Sequence, residues 1–156
     1  MFKKILLFLC AVLLVIQVFR PAKNIAAAAN QPNDISTVVT VPQPVEAILA
    51  KACYDCHSNN SAYPWYYNIQ PVAWWMAHHI KEGKAELNFS EFASYSLKRQ
   101  AHKFEEIADE VQEGEMPLGS YTWTHGDAKL NPEEVQLIIA WARTNVTELG
   151  KKVPVE

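Results

Sequence analysis

The five residues Cys53-Tyr54-Asp55-Cys56-His57 constrain this chain of 156 residues more than any other feature. Positions i, i+3 and i+4 share one face of a helical turn, so both thiols and the imidazole point the same way. C-x-x-C-H is the attachment pattern of a c-type haem, in which two thiols add across the vinyl groups and the histidine binds the iron. The motif therefore predicts one haem c, covalently held by Cys53 and Cys56, with His57 as the proximal ligand.

Other uses of the cysteine pair find less support in the chain, which has three cysteines and five histidines. A thioredoxin-like C-x-x-C needs a βαβ setting, and the sequence lacks the corresponding strand pattern. A structural zinc site needs four ligands, and no second C-x-x-C is present. A structural disulfide between Cys53 and Cys56 is the main remaining alternative.

A short apolar run near the N-terminus predicts a targeting segment. Lys3 and Lys4 precede the run over residues 5–19, and basic residues follow it at positions 20 and 23. Such a segment directs the downstream domain out of the cytoplasm, to the side of the membrane where bacteria attach c-type haem. The positive charges before the run predict that its start stays inside and that the haem domain faces the periplasm or another extracytoplasmic space.

Two fates are open for this segment. The run is short against the roughly 20 residues that span a bilayer, and the alanines at 26–29 offer a small-residue cleavage site, which favours a cleaved signal peptide. Against cleavage, Arg20 and Lys23 lie between the run and that site, and long basic side chains extend the effective span by snorkelling. We therefore expect a retained signal-anchor over residues 1–23 that attaches the protein to a membrane.

One domain is expected after the targeting segment. About 130 residues remain, a usual size for a single domain. Residues 24–43 are polar and proline-bearing, which predicts a linker with a short extended piece at 38–41. The haem-binding domain is expected over residues 44–150. The net charge of −3 implies no nucleic-acid surface.

Hydrophobic periodicity predicts four helices in this domain. The first covers 44–56 and carries both motif cysteines on its apolar stripe. An aromatic loop at 58–71 follows, and then a second helix over 72–83. The third helix lies within 90–113 and is expected to break near Ser96.

Capping signals support the helix ends. Asn88 with Glu91 offers a capping box at the start of the third segment, and Gly114 is a natural stop. The fourth helix starts at Asn131, where the side chain caps the helix and Glu134 completes a capping box. The fold class is therefore all-α, a cytochrome c-like helical domain packed around one covalent haem.

The second axial ligand of the iron decides the function. In Gly114-Glu115-Met116-Pro117, the glycine frees the backbone after the third helix and the proline biases Met116 to an extended conformation. A methionine sulfur gives a closed iron suited to electron transfer and raises the potential. Met116 is therefore the expected distal ligand, and the alternatives are Met76, His79 and His125.

Five further side chains are candidates for the pocket wall or for contacts to the haem propionates: Trp65, Trp74, His78, Tyr121 and His125. Aromatic rings exclude water from a macrocycle by packing, and a histidine can donate a hydrogen bond to a propionate or act as a second-shell donor. His102 lies towards the polar side of the third helix and is expected to be solvated.

Taken together, these motifs resemble the small bacterial haem-binding domain proteins of the cytochrome c type, over nearly the whole chain. The resemblance implies a membrane-anchored, extracytoplasmic monohaem domain with His57 as proximal ligand. At position 84 a lysine stands where the family usually has an arginine, so a bidentate contact from that position is not available. The segments that carry the resemblance are 16–24, 52–59, 63–66, 68–74, 82–84, 87–90, 116–117, Tyr121, His125 and 128–130.

The expected function is electron transfer rather than enzymatic catalysis, because the haem carries the chemistry and the polypeptide holds it and sets its potential. The redox partner proteins are not indicated by the sequence. A haem-based sensor or small peroxidase with a labile distal ligand is the main alternative. A structural membrane-anchored domain with a Cys53–Cys56 disulfide is the third.

Overall fold

The computed structural model describes residues 1–26 and 31–152, and within them the chain is helical without a β-strand. The only pairing of extended backbone there is one isolated antiparallel bridge between Ile25 and Asn60. The all-α prediction is confirmed. The α-helices of these ranges are α1 Phe2–Ile16, α2 Gln43–Ala52, α3 Tyr54–His57, α4 Val72–Glu86, α5 Leu97–Glu113, α6 Gly119–Thr124 and α7 Pro132–Gly150, with short 3₁₀ turns at Ile35–Thr37, Trp65–Asn68, Phe89–Ser94 and Gly126–Ala128.

The core lies between α5 and α7, with α2 packed against α7. Phe104 of α5 is fully buried and meets Phe92 and Trp141 edge to face, with ring centroids 5.2 and 5.1 Å apart. The indole N–H of Trp141 donates to the carbonyl of Thr40 at 3.1 Å. Such aromatic contacts bury a large apolar area while the polar edge keeps a partner. This core supports the helices that frame the site.

Three predicted helix boundaries are confirmed. At α7, Asn131 accepts a hydrogen bond from the backbone N–H of Glu134 at 2.9 Å, and the Glu134 carboxylate accepts one from the Asn131 N–H at 3.0 Å. At α5, the break falls at Ser96, which caps the helix, and Gly114 ends it. Gly114 has φ 78°, a left-handed conformation that favours glycine.

The capping box predicted from Asn88 and Glu91 is wrong. Asn88 does cap a short 3₁₀ turn by accepting from the N–H of Ser90, but the Glu91 carboxylate accepts from the side-chain amides of Asn33 and Asn59 instead. Those distant amides outcompete a local backbone donor, a tertiary contact that the local pattern does not contain.

Two helix boundaries also differ from the prediction. The first helix ends at Ala52, because Cys53 leaves the helical region with φ −124°, and the motif continues as the separate turn α3. The second helix passes through Gly83 and continues to Glu86. The short helix α6 has too few periodic positions to be recognised in the sequence.

The segment 24–43 is more than a linker. In its described part, Ile35 is only 1% exposed and belongs to the core, and Val38, Val39 and Val41 pack against that core in irregular and turn structure rather than in a strand. Three of the alanines proposed as a cleavage site, at 27–29, lie outside the described residues.

The apolar helix α1 leaves its side chains exposed along its length. Among the described residues, no helix is both long enough and apolar enough to cross a bilayer. The chain after α1 is attached to the domain: Gln17 exchanges two hydrogen bonds with the backbone of Gln70, at 3.0 and 3.3 Å, and the indole N–H of Trp74 donates to the carbonyl of Phe19 at 2.8 Å.

Candidate functional site

A cavity of about 570 Å³ lies between α2–α3, α4, α5 and the segment that leads into α6. This volume is in the usual range for small-molecule and cofactor sites. All three chemical groups of the C-x-x-C-H motif line it, and so does Met116. The apolar part of its wall consists of Leu49, Ala52, Leu87, Phe89, Ile107, Val111, Pro117, Leu118, Leu130 and Ile138.

His57 is held in the form that binds a metal. Its Nδ1 lies 3.0 Å from the carbonyl oxygen of Leu87, and because a carbonyl only accepts, Nδ1 carries the proton and Nε2 keeps its lone pair. Burial lowers the pKa of His57 below its usual value of 6.5. The hydrogen bond to Leu87 acts in the opposite direction but is the smaller effect. The ring is therefore neutral near pH 7, with its tautomer and orientation set by a backbone partner, as is usual for metal-binding histidines.

The two motif thiols are free and sit in the cavity wall. Desolvation raises the pKa of Cys53 to about 12, with a further contribution from Cys56, and that of Cys56 to about 11, with a further contribution from Asp55. Both sulfurs are therefore neutral at physiological pH. The cavity therefore carries two uncharged sulfurs beside its apolar wall.

Gly83 lets α4 approach the motif closely. A Cβ at this position would lie 2.9 Å from the carbonyl oxygen of Cys56, closer than real side chains pack, and 3.2 Å from the Cβ of Cys56, which is tighter than most real contacts. A glycine inside a helix costs about 1 kcal/mol relative to alanine, and here it permits the contact that places Leu87 beside His57. The sequence analysis predicted that the second helix ends at Gly83 and so missed this role. The low helix propensity of glycine was the signal that could have revealed it.

Met116 reaches the cavity through the turn that ends α5. Its backbone N–H donates to the carbonyl of Glu110 at 3.2 Å, and the N–H of Glu115 donates to the same oxygen at 3.0 Å. The peptide bond from Met116 to Pro117 is cis. Met116 is half-buried against the core, and the structure brings it to the same cavity as His57.

Tyr121 also lines the cavity. Its hydroxyl donates to the carboxylate of Asp55 at 2.8 Å. Burial raises the pKa of Tyr121, and the hydrogen bond to Asp55 raises it further. His125 lies outside the cavity wall but stacks on the Tyr121 ring, with centroids 4.2 Å apart and 16° between the planes.

Besides His125, three predicted pocket residues do not line the cavity. Trp65 is 75% exposed, and Trp74 points to Phe19. His78 is exposed and pairs with Glu82 at 3.1 Å. Among the alternative ligands, His79 lines the cavity with its Nδ1 2.9 Å from the carbonyl of Trp75, whereas Met76 does not line it. As expected for a solvated residue, His102 is exposed, between Glu105 and Glu106.

Charged residues at the cavity were not recognised in the sequence. Lys103 is 7% exposed, and its ammonium group hydrogen-bonds Glu106 and lies 3.8 Å from Glu86. Glu82 and Glu110 also line the cavity. Periodicity counts lysine and glutamate as solvent-facing, although a lysine stem packs readily on apolar surface.

Lys84 binds a residue far away in the chain. Its ammonium group donates to the side-chain carbonyl of Asn24 at 2.6 Å, and the Asn24 amide in turn donates to the Ser58 carbonyl and the Ser61 hydroxyl, both at 2.8 Å. One donor contact suffices here, so this position does not need the two-pronged geometry of arginine. The network fastens the chain after α1 to the loop that follows His57.

Comparison with known proteins agrees with this geometry. The family model described as "Haem-binding domain" matches residues 11–144, which include every residue that lines the cavity. No curated protein and no solved structure matches the chain significantly. Because the match covers most of the chain, the chain belongs to the haem-binding domain family.

Proposed function

We propose that this protein is a c-type cytochrome that carries one covalent haem c and transfers electrons outside the cytoplasm. One observation carries the proposal: a single cavity contains two free thiols, an imidazole whose Nε2 is left for a metal, and a methionine sulfur. Those are the groups needed for two thioether bonds and a His/Met axial pair.

The residues present fit the haem. Cys53 and Cys56 would hold it covalently, and His57 and Met116 would supply its axial ligands. When bound, the haem supplies a one-electron Fe(III)/Fe(II) couple. The Leu87 carbonyl increases the basicity of His57 by accepting its Nδ1 proton. The apolar wall keeps water away, and a methionine ligand raises the potential. We assign no substrate chemistry to the polypeptide itself.

The same proposal places the domain at a membrane. Support comes from α1, whose apolar side chains are exposed, and from the lysines at its start, which favour an N-terminus inside. Cell fractionation checks this: the holoprotein should remain with the membranes in high salt and be released by detergent. A protein recovered in the soluble periplasmic fraction would contradict the attachment and leave the haem proposal intact.

The axial pair is tested by the ferric absorption spectrum of the holoprotein. The wild type should show the charge-transfer band of a methionine sulfur bound to iron, and Met116→Ala should lose it. Met76→Ala is the matched control, because Met76 does not line the cavity, and it should keep the band.

The other outcomes separate the alternative functions. A high-spin ferric wild type, or one that binds carbon monoxide readily when reduced, would support a sensor or peroxidase with a labile distal site. Absence of haem from the protein band on a denaturing gel, after expression with the haem-attachment machinery, would refute the cytochrome proposal and favour a disulfide between Cys53 and Cys56.

A further inference from the structure

The segment that carries Met116 makes few hydrogen bonds to the rest of the domain, although Ala128 and Leu130 pack against the core. At its start, Met116 donates to the Glu110 carbonyl, and at its end Asn131 caps α7. Between these points, the described hydrogen bonds to other parts of the chain are the one from Tyr121 to Asp55 at 2.8 Å and a contact at 3.5 Å between the hydroxyl of Tyr66 and His125. The second is at the limit of a hydrogen bond, so the first is the main polar attachment.

Asp55, which accepts this hydrogen bond, is itself held in place by hydrogen bonds to the loop after His57. It lies between the two motif cysteines, and its other carboxylate oxygen accepts from the N–H of Ala62 at 2.8 Å. Its own carbonyl accepts from the hydroxyl of Ser61 at 2.6 Å. The carboxylate is therefore oriented by the loop after His57, and it cannot follow α6 if that helix moves.

The Tyr121 side is also oriented. The ring lines the cavity and stacks on His125, so the hydroxyl approaches Asp55 from a defined direction. Only four residues lie between Met116 and Tyr121, and two of them, Pro117 and Leu118, face the same cavity. The position of the Tyr121 hydroxyl therefore restrains the position of Met116, because only a short stretch of chain joins the two residues.

We propose that the hydrogen bond from Tyr121 to Asp55 is a latch that holds the Met116 segment against the haem and so controls release of the distal sulfur. The latch rests on the proposed His/Met ligation. It makes Tyr121 a positioning residue: it ties the distal ligand to the same five-residue motif that supplies the thioethers and the proximal ligand. A broken latch leaves the haem attached and lets the Met116 segment open.

The test uses Tyr121→Phe in the holoprotein, which removes the hydroxyl and keeps the stacked ring. A hydrogen bond to a charged group contributes enough free energy for about a tenfold change in an equilibrium. The Kd of imidazole for the ferric haem should therefore fall about tenfold, because imidazole competes with the sulfur of Met116. Amide hydrogen exchange within residues 118–124 should also become faster.

Tyr54→Phe is the matched control. Tyr54 belongs to the same motif and donates to the carboxylate of Glu46 at 2.7 Å, but it does not line the cavity. It should leave both the imidazole Kd and the exchange of 118–124 unchanged. A fall in Kd of the same size in both variants would overturn the latch, because the effect would then be general loosening.

Further outcomes are separable. If the wild type shows the methionine–iron band and Tyr121→Phe leaves the Kd unchanged, the latch is wrong and the axial pair stands. If the wild type lacks the methionine–iron band, both the latch and the proposed His/Met axial pair are wrong. In the background of Asp55→Ala, the tyrosine substitution should add little, since the two residues form one contact. Additive effects would show that they act independently.

Discussion

Replacing Gly83 by alanine should weaken the fold, although alanine is the better helix former. In an unobstructed helix interior the change would stabilise the protein by about 1 kcal/mol. Here the new methyl group would lie 2.9 Å from the carbonyl oxygen of Cys56, and that oxygen belongs to the backbone and cannot rotate away. Overpacking of this kind costs about 1–3 kcal/mol. The balance is a net loss of about 1 kcal/mol.

The free energy of unfolding, measured in urea by far-ultraviolet circular dichroism, checks this. Gly119→Ala is the control, because a Cβ there meets nothing within 4 Å, and it should be neutral or stabilising. A Gly83→Ala protein that is more stable than the wild type would refute the close approach of α4 to Cys56. The same variant should also disturb the contact between His57 and Leu87, seen as a changed position of the His57 ring resonances in the diamagnetic ferrous protein.

Two further predictions concern contacts away from the cavity. The hydrogen bond from Lys51 is the main cause that lowers the pKa of Glu134. This contact therefore stabilises the fold above the unfolded pKa of about 4.3, and the stabilisation is lost as the pH falls through the folded pKa. Glu134→Gln should cost less than about 1 kcal/mol of unfolding free energy at pH 7, and its difference from the wild type should vanish in acid. Asn24→Ala removes three side-chain hydrogen bonds, one of them from Lys84, and should lower the free energy of unfolding by about 2 kcal/mol. The control Asn68→Ala removes one exposed hydrogen bond and should change it by no more than about 0.5 kcal/mol. Equal losses in the two variants would contradict a structural role for residues 17–26. Urea unfolding measures both.

Local signals in the sequence predicted local structure well. The start of α7 depends on three neighbouring residues, and the structure contains the predicted capping box between Asn131 and Glu134. The break at Ser96 and the stop at Gly114 are likewise set by one or two residues each. Helix caps satisfy backbone groups within a few positions, so their physics is contained in a short window.

Contacts between distant segments were not predictable in this way. The Glu91 carboxylate binds Asn33 and Asn59 instead of forming the predicted capping box. Ile35 lies in the core, although its segment was predicted to be a linker. Lys103 looks like a surface residue, yet it lies buried beside the cavity. In each case the partner is far away in sequence, and burial changes which interaction is favoured.

The sequence alone determined the chemistry of the site: two thiols and an imidazole at the spacing of one helical turn, with Met116 available in a constrained loop. The tertiary structure decided how these groups are used. It brought Met116 to the cavity of His57, oriented His57 through Leu87, and joined Asp55 to Tyr121. The physical reason is that covalent spacing fixes which groups can share a face, whereas orientation depends on partners that only the packing of separate helices supplies.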